Sequence, residues 1–425
     1  MDDIARRLAA LTTEQRELLE LRLKKKGLQS ALAQSAQTLT VEGAPQGVRV
    51  PETDEAPANW KERAVERPVR FSLYFFSDDG SKNSDDKYRL LLESAKFADR
   101  HGFSAVWTPE RHFQAFGGLY PNPSVLSAAL SMITERVQIR AGSVALPLHH
   151  PVRVAEEWSV VDNLSQGRVA VSFASGWHPN DFLFAPDAYE QRKEVMFSHI
   201  EIIRRLWAGE SVTFQGAGES TVEVSILPRP IQPQLPMWIT TAGSPATWVK
   251  AGEIGANILT GLAGYLPEDL KALIHSYREA RAKNNHDPQT GVVSVMVHTF
   301  VGEDTQAVKE KVRQPLSNYL MTYFKQFEKV QYDPESVTEA DKKDLMAAAF
   351  ENYFLNSTLL GSPAKCARLI EKLTGLGIDE VACLVDFGVE TDSVLNSLAL
   401  LNELREHFDP QAHVEEQSAA RGAKE

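Results

Sequence analysis

The chain has 425 residues with a net charge of −12 at pH 7, 43% hydrophobic and 24% charged residues, and a mean hydropathy of −0.28. This balance excludes collagen, coiled coil and wholesale disorder, and the length is about twice that of an ordinary domain yet within reach of one barrel with insertions. An acidic chain without a basic patch argues against nucleic acid or an anionic membrane as partner; without an apolar run of about 18 residues or an apolar N-terminus, a cytoplasmic protein is expected.

In chain order, residues 1–26 carry Ile4, Leu8, Leu11, Leu18, Leu21 and Leu23 near helical spacing, which predicts a short helical segment. Residues 27–67 turn to Gln, Ser, Ala, Pro and Glu without a period and read as a linker. From residue 68 to 411 a β-branched or aromatic run, a polar or glycine-bearing turn and an amphipathic helix alternate. Strands are predicted at Val69–Phe76, Ala105–Trp107, Val137–Ala141, Val169–Phe173, Met237–Thr240, Ala256–Leu259, Val292–Val301 and Val381–Val385. Eight strands, each followed by a helical pattern, predict an α/β fold of the closed (β/α)8 TIM-barrel type rather than an open doubly wound sheet. Gly209–Pro236 and Thr305–Asn356 exceed a minimal connection and read as insertions at the active-site mouth. Residues 412–425 form a polar tail. The two cysteines, Cys366 and Cys383, are too few for a disulfide framework or a thiolate metal site and read as buried apolar residues.

Such a barrel works at the face built from the loops after its strands. Those ends are polar or glycine-bearing here: Tyr74 and Ser77, Thr108 to Phe113, Gly142-Ser143, Ser175 to His178, Thr240 to Ser244, and His298. After the fifth strand, Gly243 lets backbone amides approach a ligand, Ser244 suits an N-cap and Pro245 the first helical position, so the helix start offers a phosphate site. In the connection after the second strand, TPERHFQAFGGLYPNPS sets Glu110, Arg111 and His112 among aromatics, as a proton-transfer group in a walled pocket or as a structural pair. His149-His150-Pro151 has no third ligand at metal spacing and fits a helix start better, so no metal is expected. GxGxxG after a strand, GxxxxGK[ST] and GxSxG are all missing, which removes the markers of Rossmann, nucleotide-hydrolase and α/β-hydrolase chemistry.

The succession FSLYFFSD, AVWTPERHFQAFGGLYPNPSV, RAGSVALPLHHPVRVAEEWSVVDNLSQGRVAVSFASGWHPNDF and AGSPATWVKAGEIGANILTG resembles the bacterial luciferase-like, flavin-dependent monooxygenases from about Val69 to Phe408. The resemblance implies a (β/α)8 barrel that binds FMN at its strand ends and oxygenates a substrate with reduced FMN and O2 through a flavin 4a-hydroperoxide. It implies a non-proline cis peptide at Gly142-Ser143 under the flavin ring and a cofactor set of Tyr74, Gly142, Ser143, Ser175, Gly176, Trp177, Thr241, Ala242, Gly243 and Ser244. Arg111 and His112 are the catalytic candidates, Arg111 to orient the peroxide or a substrate carboxyl and His112 to donate or relay a proton.

Departures from the luciferases narrow the reaction. Arg111 stands at the position of their catalytic histidine, Ala174 at that of a reactive cysteine, and Ser175 at that of a phosphate-binding arginine, which argues against light-emitting aldehyde oxidation. The ERHF form resembles a subgroup found with nonribosomal peptide and polyketide assembly lines, and LTTEQRELLELRLKKKG is similar to segments that link their modules. The implied function is oxygenation of an acyl, amino-acyl or peptidyl intermediate on a carrier protein, with a separate flavin reductase as partner and a homodimer as the usual assembly. The rival readings are a deazaflavin-dependent hydride-transfer oxidoreductase of the same superfamily and a flavin-binding or docking protein without turnover.

Overall fold

Short runs rich in Val, Ile and aromatic residues become strands because their branched side chains fit a pleated surface buried on both faces. In the computed structural model, which describes residues 59–76, 86–114, 117–176, 178–262, 265–331 and 350–410, they are β1 (Arg70–Tyr74), β2 (Ala105–Thr108), β3 (Gln138–Ala145), β4 (Val169–Ala174), β5 (Val212–Gln215), β6 (Thr221–Val224), β7 (Met237–Thr240), β8 (Asn257–Gly261), β9 (Val293–Val301), β10 (Leu359–Gly361) and β11 (Glu380–Leu384). Eight of them close in the order β1-β2-β3-β4-β7-β8-β9-β11 and back to β1, every neighbouring pair parallel. These are the eight predicted strands, and the fold is a (β/α)8 barrel. Of the remaining strands, β5 and β6 form an antiparallel hairpin in the first insertion, and β10, just after the second, extends the sheet beside the end of β9. With 3 residues, β10 is too short to leave a periodic signal.

The helices are α1 (Arg89–Arg100), α2 (Pro123–Ser131), α3 (Pro151–Leu164), α4 (Arg192–Ala208), α5 (Pro245–Glu253), α6 (Pro267–Lys283), α7 (Thr305–Gln331), α8 (Pro363–Leu376) and α9 (Thr391–Phe408). Their starts are written locally. Asn122 accepts from the Val125 amide at 3.2 Å ahead of Pro123, and Ser362 caps α8 ahead of Pro363, each proline standing where a helix needs no amide donor. Ahead of β1, Trp60 is buried edge-on to His407, ring centroids 5.2 Å apart. Residues 1–58, Ser77, Trp177 and the tail from 411 lie outside the described residues. Among the described residues no helix is long and apolar enough to cross a membrane, and Cys366 and Cys383 are free, buried thiols that burial pushes up to about 12.

The barrel interior is filled by an unusual polar plug. Arg140 of β3 forms a two-bond pair with Glu380 of β11, 2.9 Å to each oxygen, and its guanidinium lies between the rings of Trp107 (4.6 Å) and Trp238 (4.3 Å). Trp107 Nε1 donates to Ser72 Oγ at 2.9 Å, Ser72 Oγ to Glu380 Oε1 at 2.5 Å, and Trp238 Nε1 to Ser294 Oγ at 3.1 Å. Burial pushes the Glu380 carboxyl up, but Arg140, Arg70 and the Ser72 hydroxyl outweigh it and hold it below its ordinary range. This plug closes the barrel beneath the strand ends and leaves the opposite face for chemistry.

The 209–236 insertion is tied to the flank of α3. Asp162 accepts the amides of Ile231 (2.6 Å) and Gln232 (3.0 Å), and Asn163 donates to the Arg229 carbonyl at 2.9 Å. The 305–356 insertion does reach the mouth, where Tyr319 and Tyr353 pack on His298 at the end of β9.

Candidate active site

The C-terminal strand ends converge through hydrogen bonds. Tyr74, ending β1, is buried and donates its hydroxyl proton to the Gly142 carbonyl; burial and the charge of Asp386 push this phenol up, against the lowering by Arg111. The Gly142–Ser143 peptide is cis. A Cβ at Gly142 would stand 2.8 Å from Tyr74 Cε2 and 3.0 Å from Trp107 Cε3, so only glycine brings the β3 backbone this close to both rings. Gly142→Ala is therefore expected to destabilise the chain by about 1–3 kcal/mol and to part the Tyr74 hydroxyl from the carbonyl. Urea unfolding of the two chains checks it, and equal midpoints would refute it.

From Ser143 a chain of hydroxyls runs sideways. Thr240 Oγ1 lies 3.0 Å from Ser143 Oγ and 2.7 Å from Ser172 Oγ, joining the ends of β3, β4 and β7. Thr240 leads directly into Thr241 to Ser244. There the Thr241 carbonyl accepts from Thr260 Oγ1 at 2.7 Å, Gly243 adopts φ +105, and a Cβ on it would meet Tyr265 at 3.5 Å. Ser244 has N-cap backbone geometry, but its hydroxyl makes no capping bond to α5. A helix start with an uncommitted hydroxyl and a glycine turn has the donor set for a phosphate. Ser175 and Gly176, just after β4, are partly buried, and Gly176 at φ +70 lies against Phe182.

The loop after β2 holds a second cluster. Glu110 Oε1 accepts from His112 Nε2 at 2.8 Å and from His149 Nε2 at 2.6 Å, while Oε2 accepts the Ala145 amide at 2.8 Å. The Glu110 side chain is 1% exposed, that of His112 10% and that of His149 34%, so a buried carboxylate bridges an inner and an outer imidazole. Burial pushes Glu110 up, yet its three donors overcome this and hold it below the ordinary carboxylate value. Burial pulls His149 down, but Glu110 and then Glu157 more than compensate, and it sits above the ordinary histidine value. The partner of Glu110 is thus a pair of histidines. Arg111 instead lies over the Phe76 ring at 5.5 Å, and its stem fills the space left by Gly117, whose Cβ would fall 2.5 Å from Arg111 Cγ.

Three further groups lie on or after β4, β9 and β11, none of which the sequence singled out as catalytic. Asp386, at the end of β11, accepts from Tyr120 Oη at 2.9 Å and the Phe76 amide at 2.6 Å. Asp181 is buried with no hydrogen bond on Oδ1; burial raises its carboxyl against the charges of Arg111, His178 and His112. His298 is boxed by Tyr319, Tyr353 and Phe387, shares 2.8 Å with the Tyr353 hydroxyl, and is pushed down to about 3 by burial, which keeps it neutral. Sequence spacing shows only His298 as a strand-end residue; Asp386, for one, meets Tyr120 and Phe76 across 266 and 310 positions, for which no local signal exists. Outside the pocket, Phe113 and Leu183 help line an open apolar cavity of about 620 Å3. Among the described residues no group of three or more His, Cys, Asp or Glu is arranged to hold a metal ion.

Comparison with known proteins completes the description. The family model described as Luciferase-like monooxygenase matches residues 69–380. The chain is 26% identical over 356 residues to the flavin-dependent trigonelline monooxygenase, oxygenase component, of Acinetobacter baylyi, covering 80% of this chain and 96% of that protein. Among solved structures, monooxygenase RslO1 from Streptomyces bottropensis superposes with a TM-score of 0.66 at 25% identity, covering 79% of this chain and 98% of that one. An F420-dependent secondary alcohol dehydrogenase shares the fold at a TM-score of 0.60 and 19% identity, covering 80% and 99%.

Proposed function

The chain belongs to the luciferase-like monooxygenase family and is a flavin-dependent monooxygenase, and from that premise we propose that it is the oxygenase of a two-component system using reduced FMN and O2 to hydroxylate or otherwise oxygenate an acyl, amino-acyl or peptidyl substrate. The observation that carries FMN is the turn at Thr241 to Ser244: an unbonded Ser244 hydroxyl and a left-handed Gly243 at the head of α5. These would hold the phosphate, Ser175 and Gly176 would hold the ribityl chain, and Gly142, Ser143 and Tyr74 would receive the isoalloxazine. Reduced FMN, when bound, supplies the electrons that activate O2. The protein's own part is to orient the substrate with Arg111, move a proton through His112, and exclude water with the aromatic wall. The related protein named an oxygenase component supports a separate reductase as partner.

Ser244→Asp places a carboxylate where the phosphate binds and is expected to weaken FMN affinity by at least about tenfold, one unit of charge repulsion in a partly buried site. Quenching of flavin fluorescence reads it; unchanged affinity would remove the turn from the site. The reaction class is tested by mass spectrometry of free and carrier-bound amino-acyl candidates incubated with FMN, a reductase and labelled dioxygen, where a labelled +16 product is expected. The ERHF motif supports the assembly-line substrate, and deleting residues 1–50 is expected to abolish turnover of the carrier-bound form while sparing the free form. The F420-dependent neighbour gives the second reading: substrate oxidation by F420 without O2 would replace the first.

A further inference from the structure

Glu110 has three donors on one buried carboxylate, two of them imidazoles on the same oxygen. An ionised carboxylate only accepts, so both Nε2 atoms carry their protons. In the neutral state Nδ1 of His112 is then the one ring nitrogen with a lone pair. The ring is also fixed from outside, its face closed by the edge of Phe184 at 4.9 Å and by Phe113 at 5.6 Å.

Resting on the monooxygenase reading, we propose that Glu110 and His149 are positioning residues for His112: Glu110 locks His112 as the Nε2–H tautomer with Nδ1 turned to the reacting groups, and His149 clamps the carboxylate from the solvent side. The Ala145 amide on Oε2 and His149 on Oε1 stop the carboxylate from rotating, so the His112 ring cannot exchange its two nitrogens without breaking a 2.8 Å bond. Protons exchanged with substrate therefore enter and leave at Nδ1, and Nε2 keeps its own throughout, so no net proton crosses Glu110. Other charges face the clamp. His149 is faced by Glu157, itself held by Ser124 (2.9 Å) and Arg153 (2.8 Å). Asp181 faces His112 and Glu110.

The test reads nitrogen-15 spectra of imidazole-labelled full-length chain, with and without FMN. In the parent, neutral His112 shows one tautomer, protonated on Nε2. In Glu110→Gln, His112 is expected to populate both tautomers and the His149 pKa to fall, because burial then pulls it down with only Glu157 opposing. Turnover of the substrate found by the labelled-dioxygen assay is expected to fall in kcat by about 10²–10⁴-fold, as when a histidine loses its orienting carboxylate, with KM and FMN affinity unchanged. His149→Phe should cost about tenfold in kcat, and His149→Gln, which keeps an Nε2 donor, should restore it. A single His112 tautomer surviving in Glu110→Gln, or His149→Gln falling as far as His149→Phe, would overturn the proposal. If no substrate turns over, the spectra decide alone: the expected tautomer change sustains the clamp while the catalytic reading falls.

Discussion

Replacing Glu380 by alanine is expected to lower the free energy of unfolding by about 3–5 kcal/mol, the cost of leaving a buried charge without its counterion. Arg140 is 3% exposed and Glu380 fully buried. The guanidinium is closed in by Trp107 and Trp238, so water cannot replace the lost carboxylate without opening the barrel. The aromatic contacts alone return about 2 kcal/mol for a desolvated cation. The double variant Arg140→Met, Glu380→Leu removes both charges and is expected to recover most of the loss, since an apolar pair of similar volume often equals a buried ion pair. The pH dependence has a definite sign. The folded-state carboxyl of Glu380 lies below its ordinary 4.5, so its contribution is present above that value and is lost as pH falls through the folded-state value. Urea unfolding at neutral pH and again below pH 4.5 should therefore show the gap between parent and Glu380→Ala narrowing in acid. A neutral-pH loss under about 1 kcal/mol would mean that the plug is open to water.

Replacing Arg111 by alanine is expected to lower product formation by about 10²–10³-fold, the usual effect of deleting one charged or hydrogen-bonding group from a water-poor active site. FMN affinity is expected to stay unchanged, because the phosphate turn and the cis peptide belong to other strand ends. Arg111 is 5% exposed and rests over Phe76, in the field of Asp181, where a fixed cation can align an anionic group. Its stem also fills the hollow at Gly117, so the alanine variant loses packing as well as charge. Arg111→Lys separates the two, since it keeps the stem and the charge but not the planar fork. Melting like the parent with activity still below it would assign the role to the guanidinium. Product formation by Arg111→Ala at the parental rate would remove Arg111 from the mechanism.

How far these sites could be read in advance depended on distance along the chain. The helices Pro267–Lys283 and Thr391–Phe408 rest on local marks, a 3.6-residue period in both and a proline at the first position of the former. The turn proposed to hold the phosphate rests on local marks for the same reason, since glycine, serine and proline follow one another at Gly243 to Pro245. Thr240 stands among the polar strand ends that the sequence marks, but its link between Ser143 and Ser172 leaves no local signal. Glu110 and Arg111 are adjacent in sequence, but adjacency does not fix their partners. The barrel instead carries the Glu110 carboxylate to His149 and lays Arg111 over Phe76, because the backbone turns their side chains to different neighbours.

The amino-acid order alone settled the eight-fold alternation, and it marks the helix start proposed to receive a phosphate, both consequences of periodicity and capping within a few residues. It left open which charges meet. Arg140 with Glu380, Asp386 with Tyr120, and His112 and His149 on one oxygen of Glu110 became pairs only when parallel strands closed into a barrel. Closure brings strand ends hundreds of positions apart into hydrogen-bonding distance, and in that dry interior each polar group unmatched by such a partner costs about 1–3 kcal/mol, a large share of a marginal stability.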